Sequence, residues 1–596
     1  MPKIFLALNT AWGASSGLMI DGKIKFAALE ERFTRRKFDV GYPKKSIDWC
    51  IKQAKISPKD IDKVAFTTIN EDPFRVKPKL HISFDLKDHR NLYEEGFYAK
   101  KFRGESTYDW YKWLRDGKKF KKEDAGYDFS FLTDEMLRNP EKAVSAFKEE
   151  KIKTVYRHLK IKKDKVTFID HHTAHAYYAS FASTFQKKDH VVLTLDGWGD
   201  GKNQTVWQVK NKKIKLIAES SENNIGRLFR FVTLFLGMMP GEHEYKVMGM
   251  APYAKKEYML KCYEKFKNIS KIKNMMIVNK NRPEDLWTFM KEIWTYERFD
   301  NISGAVQHFA EEFSCNLVKD IYKTTKIPRL VLSGGVLMNV KVNKKISEIK
   351  NIKEIFVPPS PGDESLCLGG LYYLNENNNN NKTLTNVYLG YDIDDKSVKN
   401  YPWKKLKKKY KIITNIKLNN IVKLLIKGDV VARANGPAEF GQRALGNRSI
   451  LANPSIPGMI KKINEVIKKR DFWMPFALSV LKEKSKKFIK NPKNISSSFM
   501  TIAFDTFENN VDKIKAGTHP YDGTVRPQFV NKDDQGTFYD LIKMFYKKTK
   551  IPALLNTSFN IHGEPIVNTI EDALKTFKNS DIDHLWIGKV LLSKKN

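Results

Sequence analysis

One pattern occurs twice in the N-terminal part of the chain, and it constrains the fold more than any other feature. Residues 4–29 and 191–218 each contain an apolar segment, a polar loop with glycine, and two further apolar segments joined by a turn-forming dipeptide. Each copy predicts a strand, a loop and a hairpin. Two copies in one chain therefore predict a duplicated α/β body.

We predict an α/β fold in which residues 1–374 form a duplicated, actin-like (ASKHA) ATPase domain that holds a nucleotide between its halves. Residues 375–383 contain an asparagine-rich stretch with the low-complexity composition of a flexible linker. Residues 384–596 then form a second domain, because a chain of 596 residues is too long for one hydrophobic core. A basic and aromatic stretch at 70–130 is predicted to be an insert in the first domain.

The sequence argues against several classes of protein. No apolar run approaches the roughly 18 residues of a membrane span, and the first residues lack the pattern of a secretory signal peptide. The four cysteines are far apart and form no CxxC pair, which argues against a disulfide framework or a thiolate zinc site. We predict a cytoplasmic protein without membrane association, in which any metal is held by His and carboxylate ligands.

The chain is strongly basic. Lys and Arg number 106 against 68 Asp and Glu, which leaves a net charge of +38. Such an excess favours polyanionic partners through long-range attraction and counterion release. The alternative is compositional drift, because the chain is rich in Lys, Asn and Ile, as an AT-rich genome would encode. Both interpretations stay open at this point.

The segment DHHTAHA carries the strongest local signal. On a helix, His171 and His175 share a face, which suits two imidazoles on one metal ion, whereas His172 is rotated away. A lone HxxxH pattern is more often structural, but two carboxylates strengthen the case here. Asp196 ends a predicted buried strand, and Asp363 lies in a turn with glycine. Two His and two Asp predict a site for Fe(II), Mn(II) or Zn(II).

A glycine pair, Gly334 and Gly335, follows the apolar segment 330–332 and precedes an expected helix. Such a pair lets the backbone approach a ligand closely and points the amides of a helix N-terminus at anionic groups. Taken alone the pair is a weak signal, because many turns contain two glycines.

Cations of the C-terminal domain lie in apolar or glycine-rich segments. Arginine forks, lysines and hydroxyls are what a site needs in order to bind two phosphate-bearing substrates. The alternative, a set of solvated surface arginines, fits poorly because Arg443 and Arg448 stand among Gly, Ala and Leu. The candidate residues are Arg443, Arg448, Ser449, Lys468, Arg470, Arg526, Thr557, Ser558 and Asn560.

Nine motifs, in this order, resemble the NodU/CmcH carbamoyltransferase family, whose members carbamoylate antibiotics and nodulation factors. They cover nearly the whole chain, and the two most specific lie at 436–454 and 554–567. The motifs are EERFTRRKFD, DHHTAHA, DGWGD, NIGRLFRFVTLFLGMMPGEHEYKVMGMAPYA, SGGVLMNVKVN, PGDESLCLGG, GPAEFGQRALGNRSILANP, DGTVRPQFV and LLNTSFNIHGEPIV.

The resemblance implies an N-terminal domain like the metalloproteins of tRNA threonylcarbamoylation and a YrdC-like C-terminal α/β domain. It implies that iron is bound by His171, His175, Asp196 and Asp363, and that nucleotide is contacted by Gly334, Gly335 and Asn339. It also implies that the nine C-terminal residues named above bind ATP and carbamoyl phosphate. Mg(II) is compatible with the bound ATP. Catalytic roles are predicted for His172, Lys246, Arg443 and Arg526.

The implied reaction has two steps. ATP and carbamoyl phosphate give carbamoyl-adenylate, phosphate and pyrophosphate in the C-terminal domain, where cations stabilise the developing phosphate charge. A hydroxyl of the acceptor then attacks the carbonyl group in the metal domain, and AMP leaves.

Two departures from the family pattern bear on this reaction. Relatives usually carry His-Asp-Ala-Ser after the first strand, whereas this chain has Trp12 in the histidine position, so the expected base for the acceptor is absent. A segment that usually ends in Arg-Pro-Phe-Ala-Pro reads Met-Pro-Phe-Ala-Leu at 474–478. The first departure puts a familiar sugar acceptor in doubt, and the second affects how carbamoyl phosphate is held.

Three hypotheses for the acceptor and the activity remain. The first is a hydroxymethylated pyrimidine in DNA, such as 5-hydroxymethylcytosine, which is favoured by the charge, by the insert at 70–130 and by Trp12 as a stacking surface. The second is a hydroxyl of a small-molecule sugar or antibiotic. The third is an inactive relative that serves as a DNA-binding protein. The sequence leaves a homodimer open.

Overall fold

The computed structural model describes residues 2–120, 122–378, 380–474 and 476–595. Asn379 of the predicted linker and Pro475 of the departing segment lie outside the described residues. The chain divides into two compact units, Met1–Leu384 and Thr385–Asn596. Within the described residues, no helix is both long enough and apolar enough to cross a bilayer.

The first unit contains two five-stranded sheets and a two-stranded ribbon. Its strands, in chain order, are β1 Ile4–Asn9, β2 Ser15–Ile20, β3 Lys23–Leu29, β4 Lys63–Phe66, β5 Val166–Phe168, β6 His190–Gly199, β7 Lys202–Lys210, β8 Lys213–Ser220, β9 Ser270–Lys273, β10 Met276–Asn279, β11 Arg329–Ser333 and β12 Glu354–Phe356.

The two large sheets have the same topology. Their strand orders are β3-β2-β1-β4-β5 and β8-β7-β6-β11-β12. In each sheet the first three strands form an antiparallel meander. The fourth strand then pairs in parallel with the first strand of that meander, and the fifth pairs in parallel with the fourth. The central strands β1 and β6 are apolar and buried over most of their length, as expected for strands covered by helices on both faces. The predicted duplication of an α/β body is therefore confirmed.

Helices cover these sheets and form the rest of the first unit. They are α1 Glu31–Thr34, α2 Lys44–Ala54, α3 Pro73–Val76, α4 Leu80–Ser83, α5 Ala99–Phe102, α6 Tyr108–Asp116, α7 Asp134–Arg138, α8 Pro140–Leu159, α9 His171–Ala182, α10 Ile225–Phe235, α11 Glu244–Met250, α12 Lys256–Glu264, α13 Leu286–Trp294, α14 Phe299–Thr325, α15 Val340–Glu348 and α16 Leu366–Leu374. A π-helical segment, Asp88–Tyr98, joins α4 to α5.

The insert at 70–130 is largely helical, and its aromatic side chains pack into a core of their own. Tyr93 and Tyr111 are 3% and 7% exposed, and Trp110 and Trp113 pack against the same cluster. The buried aromatic side chains of the insert are therefore not available to stack on bases, which removes part of the support that the insert gave to a DNA acceptor. Aromatic residues at helical spacing bury more apolar area against one another than they would by facing solvent.

Helix α9 crosses α16 at very short distance, and Gly369 of α16 makes the contact possible. A Cβ atom at Gly369 would lie 1.9 Å from the carbonyl oxygen of Ala174 in α9. This close approach determines how deeply α9, which carries the predicted histidine ligands, sits in the unit.

We expect Gly369→Ala to lower the free energy of unfolding by about 1–3 kcal/mol or more, because the added methyl group must push two packed helices apart. Thermal or denaturant unfolding of the full chain measures this. Gly197→Ala is the control, because a Cβ atom there meets nothing within 4 Å. Equal stability of the two variants would contradict the prediction.

The second unit is built on a mixed eight-stranded sheet with the order β14-β25-β24-β15-β17-β23-β18-β22. Its strands are β13 Tyr388–Ile393, β14 Tyr410–Thr414, β15 Val431–Ala434, β16 Gly436–Glu439, β17 Arg448–Ala452, β18 Ala477–Leu481, β19 Ile489–Lys490, β20 Phe504–Thr506, β21 Thr524–Val525, β22 Pro527–Val530, β23 Ala553–Ser558, β24 His584–Ile587 and β25 Val590–Lys594. Its helices are α17 Asp395–Asn400, α18 Leu418–Lys427, α19 Met459–Lys461, α20 Val511–Ile514, α21 Lys532–Thr549 and α22 Ile570–Lys578. An apolar core that includes Phe559 and Phe577 packs against this sheet. The unit is α/β as expected, and its likeness to YrdC-type domains stays a prediction.

Candidate metal centre and anion site

Helix α9 presents the two predicted histidine ligands. Asp170 caps its N-terminus, where the carboxylate accepts a hydrogen bond from the N–H of Thr173 at 2.9 Å. The helix therefore begins at His171, and His175 follows one turn later on the same face, as the spacing predicts. Their ring centroids lie 4.8 Å apart.

Four side-chain donor atoms converge in front of this face. Nε2 of His171 and Nε2 of His175 lie 2.9 and 3.2 Å from Oδ2 of Asp196. The same two nitrogens lie 3.6 and 3.5 Å from Oδ1 of Asp363. All four donor atoms fall within 4.8 Å of one another. Two imidazole nitrogens and two carboxylate oxygens in this arrangement fit a borderline divalent cation.

Backbone amides orient Asp196. Its Oδ1 accepts hydrogen bonds from the N–H of Gly197 at 2.6 Å and of Gly335 at 3.2 Å, which leaves Oδ2 directed at the histidines. Gly335 must lack a side chain, since a Cβ atom there would lie 2.8 Å from the same Oδ1. The glycine pair predicted as a nucleotide contact thus also supports the metal ligands.

A serine that the sequence analysis did not single out as a site residue sets the tautomer of His175. Ser333, fully buried at the end of β11, lies 3.1 Å from Nδ1 of His175, and its hydroxyl donates to the carbonyl of Pro361 at 3.3 Å. Because the hydroxyl proton goes to Pro361, Nδ1–H of His175 donates to Ser333 and Nε2 keeps its lone pair for a metal. The position of Ser333 directly before the glycine pair was the available signal.

We expect Ser333→Ala to weaken metal affinity about 10- to 100-fold, the usual effect of removing a group that orients a ligand. Competition titration against a chelator measures the affinity. Ser303→Ala is the matched control, since it removes another buried serine hydroxyl, bonded to Phe299 in α14. Unchanged affinity in Ser333→Ala would contradict the assigned role.

Burial and the mutual charges of this cluster shift the pKa values of its members. Burial disfavours the imidazolium form of His171, but the carboxylates of Asp363 and Asp196 outweigh that effect and raise its pKa to about 9. Burial and the negative charge of Asp196 raise the pKa of Asp363. Two carboxylates thus attract protons that a divalent cation would displace, which is the usual relation between metal binding and protonation.

Asp200, the last residue of the DGWGD motif, was also missed as a site residue, and it holds the base of α9. Its carboxylate accepts hydrogen bonds from the N–H groups of His171 at 2.8 Å, Ile69 at 2.9 Å and Asn70 at 2.7 Å. A conspicuous acidic residue after glycine was the signal that could have found it. Asp200 therefore ties the metal-bearing helix to the segment that opens the insert.

His172 lies beside the metal cluster and not within it. Its Nδ1 contacts the hydroxyl of Thr194 at 2.7 Å, and the side chain is fully buried. Burial and the neighbouring His171 lower its pKa to about 3, so the ring is neutral. Its predicted catalytic role stays a prediction. Lys246, the second predicted catalytic residue of this unit, is buried in α11.

The predicted nucleotide contacts of the first unit lie near the same turn. Gly334 has φ of 104°, and a Cβ atom there would lie 2.2 Å from the carbonyl oxygen of Leu195, so only glycine fits. Asn339 caps α15, with Oδ1 accepting from the N–H groups of Lys341 and Val342, both at 3.1 Å. Its Nδ2 donates to Gln307 at 2.7 Å. The geometry of Asn339 is that of a helix cap, and a contact with nucleotide stays a prediction.

Trp12 lies in the loop between β1 and β2. It stacks on Phe38, with ring centroids 5.0 Å apart and an interplanar angle of 24°. The next residue, Gly13, packs so closely on Glu364, the neighbour of Asp363, that a Cβ atom would lie 3.1 Å from Cβ of Glu364. The tryptophan side chain is therefore one residue away from a backbone contact with the metal-binding loop.

In the second unit the predicted residue Lys468 contacts two other predicted residues, Ser558 and Asn560. Lys468 is 3% exposed, and its Nζ donates to the carbonyl and hydroxyl of Ser558 at 2.6 and 3.1 Å. It also donates to the carbonyl and Oδ1 of Asn560 at 3.1 and 2.6 Å. These oxygens are neutral, so the positive charge of Lys468 remains available to a nearby anion.

Three predicted arginines also gather in this unit. Burial and the charges of Arg443 and Arg470 lower the pKa of Arg526 well below its usual range. Within the described residues, Nε of Arg526 is buried without a hydrogen-bond partner. Like charges held together in a recessed place are stable only when an anion neutralises them. We therefore regard this cluster as an anion site.

Arg448 does something different from what the sequence suggested. Its guanidinium is fully buried and donates to the carbonyls of Tyr391, Asn435, Gly436, Asn447 and Asn568. These bonds use all five N–H groups of an arginine, so none is left for a phosphate. We reassign Arg448 to holding these loops together.

The remaining predicted residues of this unit lie on paired strands. Ser449 of β17 is buried, stands opposite Ser558 of β23, and its hydroxyl accepts from the N–H of Gly446 at 2.9 Å. Thr557, also on β23, is opposite Ile450 and half-buried. Both residues therefore neighbour Ser558, which contacts Lys468: Ser449 is opposite it across the strand pair, and Thr557 precedes it in the chain. Contact of the two hydroxyls with a substrate stays a prediction.

Family models match both parts of the chain. The model described as "Carbamoyltransferase N-terminus" matches residues 11–370, and that described as "Carbamoyltransferase C-terminus" matches residues 422–594. An uncharacterized protein of Methanocaldococcus jannaschii is 30% identical over 99% of this chain and 100% of its own length. Nodulation protein NolNO of Sinorhizobium fredii is 27% identical over 97% of this chain and 78% of its own length. Nodulation protein NolO of Bradyrhizobium diazoefficiens is 30% identical over 72% of this chain and 79% of its own length.

Solved structures give weaker likenesses. Full-length HypF in a phosphate- and nucleotide-bound form has a TM-score of 0.35 at 12% identity and covers 63% of this chain and 47% of its own. Component A of (R)-2-hydroxyglutaryl-CoA dehydratase from Acidaminococcus fermentans has a TM-score of 0.31 at 12% identity and covers 62% and 97%. TM-scores this low carry no argument. The two family models together span both units, and this chain therefore belongs to the NodU-type carbamoyltransferase family and is an enzyme.

Proposed function

We propose that this enzyme is an ATP-dependent O-carbamoyltransferase that uses carbamoyl phosphate, forms carbamoyl-adenylate in the second unit and transfers the carbamoyl group to a hydroxyl in the first. The observation that carries the proposal is the arginine cluster, in which Arg526 is half-buried beside Arg443 and Arg470 and its buried Nε has no hydrogen-bond partner within the described residues. Such a cluster suits a site in which phosphate groups gather and negative charge develops.

The first step fits the second unit. Water first hydrolyses carbamoyl phosphate, which releases phosphate and leaves carbamate. A carbamate oxygen then attacks the α-phosphorus of ATP, which forms the P–O bond of carbamoyl-adenylate, and pyrophosphate leaves with the electron pair of the broken bond. Arg443, Arg470 and Arg526 would hold the phosphates, and Lys468, fixed by Ser558 and Asn560, would add a fourth cation. Preorganised cations of this kind need no reorganisation as charge develops.

The second step fits the first unit. His171, His175, Asp196 and Asp363 would hold a divalent ion, which we propose to be Fe(II), with Mg(II) accompanying ATP. When bound, the ion supplies Lewis acidity toward a carbonyl or phosphate oxygen. Ser333, Gly335 and Asp200 keep the ligands in place, and the acceptor oxygen attacks the carbonyl carbon while AMP leaves with the bonding electrons.

For the acceptor, we propose a hydroxymethylated pyrimidine in DNA as one class, supported by the net charge of +38. The aromatic residues of the insert no longer support it, because they form a core. A small-molecule hydroxyl is the second class, supported by the stacked aromatic pair of Trp12 and Phe38, against which a small ring can pack. A gel-shift titration across salt separates the two, since binding without a salt slope contradicts the DNA proposal.

In the decisive experiment, the full chain is incubated with ATP, carbamoyl phosphate and a panel of acceptors. The released pyrophosphate and the carbamoyl mass increment of each acceptor are then measured. The panel contains 5-hydroxymethylcytosine DNA and methyl glycosides, with unmodified DNA as the control. Pyrophosphate release that depends on carbamoyl phosphate supports the first step, and a carbamoylated acceptor supports the second. Release of pyrophosphate without carbamoyl phosphate would overturn the proposal.

A further inference from the structure

The aromatic pair of Trp12 and Phe38 has a neighbour, His81, whose side chain can take a proton. Trp12 offers only a ring N–H and has no basic atom, and Phe38 beneath it has no polar atom. His81, on α4 of the insert, meets the tryptophan edge to face, with ring centroids 5.1 Å apart and an interplanar angle of 84°. Trp12 and His81 are both partly exposed, so a molecule that lies against the tryptophan also reaches the imidazole.

An ion pair fixes this histidine next to the aromatic pair. Lys79, the residue before α4, bonds through Nζ to Oδ1 of Asp39 at 2.6 Å, and Asp39 directly follows Phe38. Both side chains are buried, and Thr34 donates to the second oxygen of Asp39 at 2.8 Å. The insert is therefore anchored at the point where it brings His81 to Trp12, and the rim is completed by Gly241, whose Cβ would lie 3.1 Å from the tryptophan ring.

We propose that Trp12, Phe38, Gly241 and His81 form the acceptor pocket and that His81 is the catalytic base that removes the proton of the acceptor hydroxyl. This inference rests on the proposed carbamoyl transfer and names its proton acceptor. Gly13, next to Trp12, contacts the loop that carries Asp363, which brings the pocket to the proposed transfer site.

The surroundings of His81 keep its ring in the basic form. The positive groups that act on its titration are Arg230 on α10, His89 on the π-helical segment and Arg75 on α3, and Arg230 is itself bonded to Glu94 at 3.1 Å. Burial and these positive charges lower the pKa of His81 well below its usual range. The imidazole is thus neutral at neutral pH, with a nitrogen lone pair ready to accept a proton.

Transfer to the acceptor exchanges one bond to the carbamoyl carbon for another. A bond forms between the acceptor oxygen and the carbamoyl carbon, and the bond between that carbon and the adenylate oxygen breaks. AMP leaves with the electron pair of the broken bond, and the hydroxyl proton passes to a ring nitrogen of His81, from which water later removes it. The carbamoyl group is transferred intact, so no oxidant or reductant is needed.

The test compares water with hydroxylamine as nucleophiles in the full chain. Both reactions start from ATP and carbamoyl phosphate, and the products are AMP with carbamate or AMP with N-hydroxyurea. Neutral hydroxylamine attacks without help from a base, whereas water needs one. We expect His81→Gln to slow attack by water about 10²- to 10⁴-fold and to leave the hydroxylamine reaction within about threefold.

The pH profile adds a readout that a structural role would not move. In the wild type, attack by water should rise with pH to a plateau reached below about pH 6.5, since the base has a lowered pKa. In His81→Gln the rate of attack by water should instead rise with the hydroxide concentration across the whole measured pH range. His308→Gln, a partly exposed histidine on α14, is the control that should behave as wild type.

Several outcomes would overturn the proposal. Equal attack by water in wild type and His81→Gln would exclude His81 as the base, and so would a parallel loss with both nucleophiles. If His81→Gln unfolds, His81→Asn is tested in the same way. Wild-type enzyme that traps hydroxylamine but shows no attack by water also counts against His81. Failure of the wild type to trap hydroxylamine would instead remove the proposed function itself.

Discussion

Replacing His175 with alanine is expected to slow carbamoyl transfer on the order of a thousandfold while leaving pyrophosphate release within about twofold. His175 supplies one of four convergent donor atoms in the first unit, and both of its ring nitrogens are engaged, Nε2 with the carboxylates and Nδ1 with Ser333. Losing it leaves three donors and an open position for water. Adenylate formation is proposed for the second unit, which this substitution does not touch.

The measurement follows both half-reactions in one sample, with pyrophosphate reporting the first step and carbamoylated acceptor or N-hydroxyurea reporting the second. His308→Ala is the control, because it removes an imidazole from the surface of α14. Treating the wild type with a chelator should reproduce the His175→Ala pattern, and adding Fe(II) back should restore only the wild type. Loss of both steps in His175→Ala would show that the half-reactions are assigned to the wrong units.

Arg526→Met is expected to lower carbamoyl-phosphate-dependent pyrophosphate release about 10²- to 10³-fold, the usual effect of removing one preorganised donor to a developing charge. The same substitution should not destabilise the ligand-free protein. Arg526 is half-buried next to two other cations, and its buried Nε, which has no partner within the described residues, costs free energy in the folded state. A methionine of similar volume removes that cost.

Thermal unfolding with and without carbamoyl phosphate measures the second part of this prediction. At a concentration near 100 times its Kd, carbamoyl phosphate should stabilise the wild-type unit by about 2.7 kcal/mol and leave Arg526→Met nearly unchanged. Arg448→Met is the matched control. Arg448 donates to five backbone carbonyls, so its loss should destabilise by on the order of 3 kcal/mol. Destabilisation of the same size in both variants would contradict an anion site at Arg526.

Sequence periodicity was enough to predict the sheets of the first unit. Each copy of the repeat encodes neighbouring strands joined by a short turn, so the pairing is local and the alternation of side chains fixes its register. β1 to β3 and β6 to β8 accordingly lie where the repeat placed them. The parallel additions of β4, β5, β11 and β12 join strands far apart in the chain, and their pairing was not readable from local pattern.

Two arginines of the second unit show that residue type alone does not predict which arginine binds phosphate. Arg448 and Arg526 both stand in glycine-containing motifs, and both were predicted to bind phosphate. One has every donor occupied by backbone carbonyls, and the other has a buried donor without a partner. Which of the two occurs depends on the strands and loops that fold around each side chain.

The sequence by itself determined the duplicated α/β body, the helix that carries His171 and His175, and the residue types suited to a metal and to phosphates. These features follow from short-range rules, namely the periods of strands and helices, the capping of a helix by Asp170, and the chemistry of side chains. The sequence also predicted that Asp196 and Asp363 join those histidines, and the tertiary structure brings the four together. Only the tertiary structure decided that Ser333 orients one of the histidines and that the insert brings His81 to Trp12. Contacts of this kind join residues that are tens to hundreds of positions apart, and they depend on how helices and sheets pack, which no local pattern encodes.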